Sequence, residues 1–512
     1  MTPTSETFPL SFAQQRLWFF DQWKPESPMY IIPIRWQLYG ALNVAALTRA
    51  LNEIVRRHEI LRTTFTVQND EPVQAIAPTL TLEIPHLDWR SMPADEQSQK
   101  LRELSIASAV RPFDLTQLPL IRAQLVWLAD EEHQLLVDAH HIVFDGWSAK
   151  ILREELLELY VAFNAGQPAA LPELSIQYVD FTLWEREQMQ EETLRPHLDY
   201  WKAHFTPLPS PLTLPTDRPR PAAQNFRGAV IRMPFDPALT PMMDKFSQAE
   251  RSTPFITLLA ALAVFLARYS GQTDIVIGTP IAGRTQPEVE TLIGFFVNTL
   301  ALRLDLSKNP SFRELVAQAR RVALESYEHQ DMPFEKLVEA LAVKHDLSQN
   351  PLFQIMLTLF DDPVDFSVPG LHLRMLPTET TETAKFDFAV NISAVTYHAV
   401  TFEYNTEIFE ADTIYRMGYN FQALLANLLQ HPDRPVLNQP ILAAAEQQQL
   451  LDWSHGARDY QTPQSVQEQF AARVQEQPDQ PATVYKDEQL TYAELHRRTQ
   501  SLAALLTHLT EN

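Results

Sequence analysis

Apolar positions recur at helical spacing over Asn43–His58 (NVAALTRALNEIVRRH), which predicts an amphipathic helix. Gln134–His141 (QLLVDAHH) alternates instead, as a strand does. In that strand Leu135, Val137, Ala139 and His141 share one face, and Leu136, Asp138 and His140 the other. Ser148–Phe163 returns to a helical pattern, with Ser148 as its expected N-cap and Gly166 just past its end. Phe255–Tyr269 is apolar on nearly all sides and predicts a buried helix. Asp274–Gly278, Leu352–Phe360 and Thr401–Tyr404 read as strands, and Phe312–Tyr327 and Phe334–Leu341 as helices. Elements mixed in this way predict an α/β fold of mixed sheets covered by helices.

The 512 residues exceed what one ordinary core organises, and suffice for two lobes and a remnant. Proline is abundant (38) and glycine scarce (11), and the prolines gather at candidate joints. Gly166–Pro172 is one joint. Pro207–Pro221 (PLPSPLTLPTDRPRP) reads as a stiff, extended crossing segment. Ala443–Gln449 and Ser454–Gln464 are polar, and from Ser465 the chain reads as the start of something else.

Charge and cysteine content narrow the chemistry. The net charge of −23 argues against nucleic acid or an anionic membrane as the main partner. With no cysteine there is no disulfide, thiolate zinc site or cysteine nucleophile, so thioester chemistry needs thiols brought from elsewhere. No run of about 18 apolar residues predicts a membrane span. The first residues, MTPTSETFPL, lack the features of a signal peptide, so a cytoplasmic protein is expected.

One short run stands out: HHIVFDG, His140–Gly146. A histidine at a strand end aims a ring nitrogen into a cleft, with an ordinary pKa suited to taking or holding a proton near neutrality. Asp145 is either a base-orienter or an anchor tied to an arginine, and a buried carboxylate favours the anchor. Gly146 is expected to let the chain turn sharply. A metal site is not expected, because no further His, Asp or Glu cluster completes a shell.

HHIVFDGWS resembles the core motif of nonribosomal peptide synthetase condensation domains. Six other stretches match that family in the same order: SFAQQRLWF (Ser11–Phe19), RHEILRTTF (Arg57–Phe65), YVDFTLW (Tyr178–Trp184), IGFFVNTLALR (Ile293–Arg303), HQDMPFE (His329–Glu335) and DLSQNPLFQ (Asp346–Gln354). The resemblance covers about residues 8–445. It implies two lobes like chloramphenicol acetyltransferase, arranged as a V-shaped pseudo-dimer around a central tunnel. The expected divisions are 1–175 and 176–445 for the lobes, 446–464 for a linker, and 465–512 for the beginning of an adenylation domain, on the run LTYAEL (Leu490–Leu495).

The resemblance also implies roles. His141 is the catalytic histidine, as base or as holder of the amine, with His140 supporting it. Gly146 is an expected oxyanion donor. Asp145 pairs with Arg284, or failing that with Arg62. Trp147, Asn350 and Ser11 are expected at the tunnel. Arg16, Arg62 and Phe65 are read as holding the lobe, and Asn298 and Gln330 as fixing loops. Ala139 stands where the family often has Met, a change expected to matter little. No cofactor is expected to be bound intrinsically. Substrates come as phosphopantetheine thioesters or acyl-CoA, from an upstream donor carrier and a downstream acceptor carrier.

The histidine pair excludes heterocyclisation domains and the family's non-catalytic recruitment domains, and the other motifs disfavour epimerisation domains. The opening motif resembles domains taking an L-configured donor or starter domains taking a fatty acyl group. Only Met1–Thr7 precede it, which favours a starter domain if Met1 is the natural start, though a trimmed chain gives the same appearance. Elongating and lipid-initiating readings stay open, as does a module that only docks carriers. The tail lacks a phosphate loop and a phosphopantetheine attachment motif, so the carriers are expected to be separate proteins or segments.

Overall fold

The strand that leads into the histidine pair, Glu132–His140, is buried on both faces, because helices cover each side of its sheet. The computed structural model describes residues 6–169, 171–343, 346–360, 365–377, 382–393, 399–454, 465–486 and 488–510. On one face Asp138 pairs with Arg35 at 2.9 Å, and Arg35 Nε donates to Ser105 on the helix Ala94–Val110 at 2.8 Å. On the other, Leu135, Val137 and Ala139 pack in the core with the helices Val44–Arg57 and Gly146–Asn164. Burial on both faces makes this strand a fixed base for the loop that follows it.

The sheet runs Phe366–Val368, Leu371–Met375, Ile31–Tyr39, Glu132–His140, Ile121–Ala129, His86–Asp88. Its first two strands come from late in the chain, with Met375 opposite Trp36. The span 176–445 therefore supplies part of the first lobe's sheet as well as the second lobe. The second sheet runs Asn298–Asp305, Asp274–Ile281, Ile355–Phe360, Phe388–Ser393, Ala399–Asn405, Gly228–Pro234. Against it lies the helix Pro254–Ser270, buried on every side from Ile256 to Ala267 as its composition predicts. Residues from Ala444 form a separate unit of helices Ala444–Ser454, Val466–Glu476 and Tyr492–Thr510 with a hairpin, Pro481–Tyr485 and Glu488–Thr491. The expected linker lies partly outside the described residues.

Three sequence expectations shift. The alternation suggested a strand through His141, but it ends at His140, and His141–Val143 form a 3-10 turn. The helix expected to be capped by Ser148 begins at Gly146, with Asp145 as its cap. The strand expected from Leu352 begins at Ile355.

Separate sequence motifs meet in space. The Tyr178 hydroxyl donates to Phe295 O at 2.6 Å and sits 2.9 Å from Ser11 Oγ. With its hydrogen given to Phe295, Tyr178 accepts from Ser11. Ser11 Oγ in turn accepts from Gln14 N, capping the helix Phe12–Trp23. The helix Tyr178–Gln188 also holds that first helix through Arg186 Nε to Leu10 O (2.7 Å) and through Phe12 N to Glu185 Oε2 (3.1 Å).

Glu185 lines a cavity of about 60 Å³ with Trp184, Asn298 and Glu335. Burial pushes its carboxyl up to about 7 from 4.5. The folded state then binds the proton more tightly than the unfolded one, so stability falls as pH rises through 4.5 to 7. Glu185→Gln keeps an acceptor for Phe12 N without the charge. It is expected to raise the melting temperature at pH 8 and leave it nearly unchanged at pH 5, in paired calorimetric scans.

Candidate active site

Asp145 is fully buried, and five hydrogen bonds to its carboxylate explain how. Oδ1 accepts from Ser148 N and Ser148 Oγ, both at 2.7 Å. Arg284 Nη2 reaches Oδ1 at 3.1 Å and Oδ2 at 3.3 Å, and Phe296 N donates to Oδ2 at 3.2 Å. The first two bonds satisfy donors at the helix start, and the carboxylate lies at the positive end of the helix dipole. Ser148 is the partner of the cap, because Asp145 precedes the first helical residue. Ser148 Oγ also joins the backbone of Gly294, with both bonds at 3.0 Å.

Arg284 follows the strand Asp274–Ile281 of the second sheet. Gly283 turns the chain into it at φ +63, and a Cβ there would lie 2.0 Å from Phe296 O. Arg284 is buried and bonds the carbonyls of Val289 and Leu292, with its guanidinium 4.0 Å over the Phe296 ring. Burial lowers its pKa, and the charge of Asp145 counters that effect.

Arg62, the other candidate partner, lies elsewhere, bonding Glu59 at 3.1 Å and the Ala77 carbonyl. Its neighbour in the same motif, His58, bonds the helix Gly146–Asn164 and the segment around Ile293 instead. His58 Nε2 meets Glu155 at 2.9 Å, and its Nδ1 accepts from Ile293 N at 3.3 Å.

His141 Nδ1 lies 2.8 Å from Phe144 O. A carbonyl only accepts, so Nδ1 carries the proton and Nε2 keeps its lone pair. The ring meets Phe295 at 4.8 Å between centroids and Tyr30 at 6.3 Å. Burial first, and the charge of Lys385 second, hold its pKa well below the ordinary value; the Phe144 carbonyl offsets part of this. His140 is the opposite tautomer: its Nδ1 accepts from Ile142 N at 3.1 Å, and burial with Lys385 brings it down to about 3. Both imidazoles are therefore neutral near pH 7.

His141, Tyr30, Arg16 and Lys385 each keep partial solvent access and form one cluster, with the Lys385 ammonium 4.4 Å over the Tyr30 ring. Arg16 pairs with Glu335 at 2.8 Å and lies 5.8 Å over Phe295. Arg16 was expected to hold the lobe; here it belongs to the cluster around His141. Tyr30 and Lys385 carried no motif signal.

The expected tunnel residues have other partners. Ser11 is a buried helix cap. Trp147 is partly exposed and donates to Glu290 O at 2.9 Å. Asn350 donates to Lys385 O at 2.6 Å, so it positions a member of this cluster through the backbone. Asn298 fixes a loop through the carbonyls of Gln330 (2.9 Å) and Met332 (2.8 Å). Gly146 begins a helix, so its N–H has no partner within that helix. Its φ is not positive, and a Cβ there would meet nothing within 4 Å. The expected sharp turn is therefore made without it, and the glycine leaves open space beside the helix start.

Comparison with known families settles the class. The family description "Condensation domain" matches residues 4–451. This chain belongs to the condensation-domain family. A linear gramicidin synthase of Brevibacillus parabrevis is 44% identical over 504 residues, covering 97% of this chain. The chain spans 10% of that synthase's length. The X-domain in the complex of X-domain and OxyB from teicoplanin biosynthesis is similar in structure, with TM-score 0.76 and 27% identity over 86% of this chain and 96% of that one. A four-domain nonribosomal peptide synthetase bound to AMP and glycine superposes with TM-score 0.81 and 21% identity, covering 99% of this chain and 39% of that one. The condensation domain thus has the mixed α/β, chloramphenicol-acetyltransferase-like fold of two lobes, and is of the nonribosomal peptide synthetase kind.

Two substitutions probe the loop. Asp145→Ala leaves Arg284 buried without its carboxylate, which costs about 3–5 kcal/mol. Chemical denaturation is expected to show that loss; unchanged stability would contradict the anchor. Gly146→Ala is expected to keep the melting temperature within a few degrees while slowing turnover, since its methyl enters open space.

Proposed function

We propose that this condensation domain joins an acceptor aminoacyl amine to a donor acyl or peptidyl thioester. The amine nitrogen attacks the thioester carbon, a C–N bond forms, and the C–S bond breaks. The amine proton leaves with the departing thiolate as a thiol. The observation that carries this reading is the His141 ring, with its Nδ1–H tied to Phe144 O, which leaves the lone pair on Nε2 of a side chain partly accessible to solvent.

The two roles open for His141 differ in charge. A full general base becomes an imidazolium, which in a buried site needs an anionic partner. The nearby carboxylate, Asp145, is bonded instead to Arg284, Ser148 and Phe296. The partner of Nδ1 is a neutral carbonyl, and Lys385 adds positive charge. These features support a neutral His141 whose Nε2 accepts a hydrogen bond from the amine and aims its lone pair at the thioester. His140 supports the turn by accepting from Ile142 N, and we assign the Gly146 N–H as a donor to the oxyanion.

Donor and acceptor reach His141 as phosphopantetheine thioesters on carriers, or the donor as acyl-CoA. The chain matches a stretch within a much longer synthase, which favours an elongating role beside carriers and an adenylation domain. Residues 465–512 are read as that adenylation domain's beginning, on LTYAEL.

Single-turnover assays test the reading. Offered a loaded donor and a free-amine acceptor, wild type is expected to form amide product identified by mass. His141→Ala is expected to be slower by about 100-fold or more. Equal rates would leave a module that only docks carriers. Product from acyl-CoA alone would favour the starter reading.

A further inference from the structure

The cluster around His141 holds a cation that no motif announced. Lys385 precedes the strand Phe388–Ser393 of the second sheet, whereas the histidine pair belongs to the first. Its backbone is pinned on several sides. Ala384 N donates to Phe226 O at 2.9 Å, Asn350 Nδ2 to Lys385 O at 2.6 Å, and Lys385 N to Glu403 Oε1 at 3.3 Å. Asp387, two residues on, is locked to Arg220 by paired hydrogen bonds, one of 2.8 Å. The ammonium lies 4.4 Å over the Tyr30 ring, and that ring is an edge-on neighbour of His141 at 6.3 Å. A pinned backbone and the contact with Tyr30 thereby hold a long side chain beside His141.

This placement is costly at rest. The charged groups around Lys385 are Glu403 on the strand Ala399–Asn405, Arg16 on the first helix, and Glu335 beyond Arg16. Tyr30, His140 and His141 are the titratable neighbours on the first lobe. Burial lowers Lys385 to about 8, with Glu403 opposing the shift and Arg16 adding to it. Glu403 is the acidic group facing this ammonium, and the two neutral imidazoles beside it add no further negative charge, so an anion forming nearby would be attracted to it. Attack on the thioester creates one, the tetrahedral oxyanion, and a fixed charge in a water-poor site stabilises it without reorganisation.

We propose that Lys385 is a further catalytic residue, whose ammonium faces the oxyanion formed at the donor thioester carbon. The inference rests on the amide-forming reading above and adds a second charge donor to the helix-start N–H of Gly146. No covalent step is assigned to Lys385. It stays protonated throughout, and the amine proton still leaves with the thiol.

The test compares wild type, His141→Ala, Lys385→Met and Lys385→Arg in single turnover, with a carrier-bound aminoacyl donor across pH 6 to 10. Lys385→Met is expected to lower the maximal rate about 100-fold, with little change in the donor concentration giving half-maximal rate. Lys385→Arg is expected to keep most of that rate. Its rate relative to wild type should rise above pH 8, where the lysine begins to lose its proton and the arginine does not. That ratio cancels titration of the amine substrate, and a purely structural lysine would not move it. Melting curves accompany each variant; if Lys385→Met unfolds, the pH ratio of Lys385→Arg decides. A folded Lys385→Met as fast as wild type, or a flat ratio, would overturn the role of Lys385. Equal rates in wild type and His141→Ala would instead sink the amide-forming reading.

Discussion

The buried pair of Arg284 and Asp145 is the constraint on which the site depends. Taking two charges out of water costs several kcal/mol per ion, and attraction repays it only when remaining donors and acceptors are satisfied. Here most are. Asp145 takes bonds from Ser148, Phe296 N and Arg284, and Arg284 spends its other amino group on the carbonyls of Val289 and Leu292. The pair also joins two lobes, because Asp145 opens a helix of the first and Arg284 follows a strand of the second. The loop between the histidines and the helix is therefore fixed by contacts that exist only when both lobes are assembled.

That arrangement decides how charge is divided. A carboxylate engaged with arginine is not free to stabilise an imidazolium. His141 is left with a neutral carbonyl partner on Nδ1 and its lone pair on Nε2, while Lys385 places positive charge nearby. The consequence is a site that favours negative charge on the substrate over positive charge on the histidine. Acyl transfer needs that bias at the moment of attack. Tyr178 and His58 reinforce the geometry by bonding Phe295 O and Ile293 N, on the segment that also supplies Phe296 N.

Much of this was legible in the chain because it is local. The alternation of QLLVDAHH marks the strand, and the resemblance pointed from Asp145 to Arg284. Two details failed for a shared reason. Asp145 and Ser148 are both good helix caps, and only the backbone shows which one precedes the first turn. His141 continues the alternation of the strand, yet its chain has already entered a 3-10 turn. Lys385 was illegible: the polar run around it carries no period, and its meeting with His141 exists only through tertiary packing. The strands Phe366–Val368 and Leu371–Met375 were hidden likewise, since their partner Ile31–Tyr39 lies far away in the chain.

The most direct measurement is the ¹⁵N chemical shift of both His141 ring nitrogens, followed by NMR from pH 5 to pH 9 in ring-labelled protein. The account expects one neutral tautomer throughout, with the proton on Nδ1 and an unprotonated Nε2. An imidazolium appearing between pH 6 and 7, or a neutral ring protonated on Nε2, would contradict it.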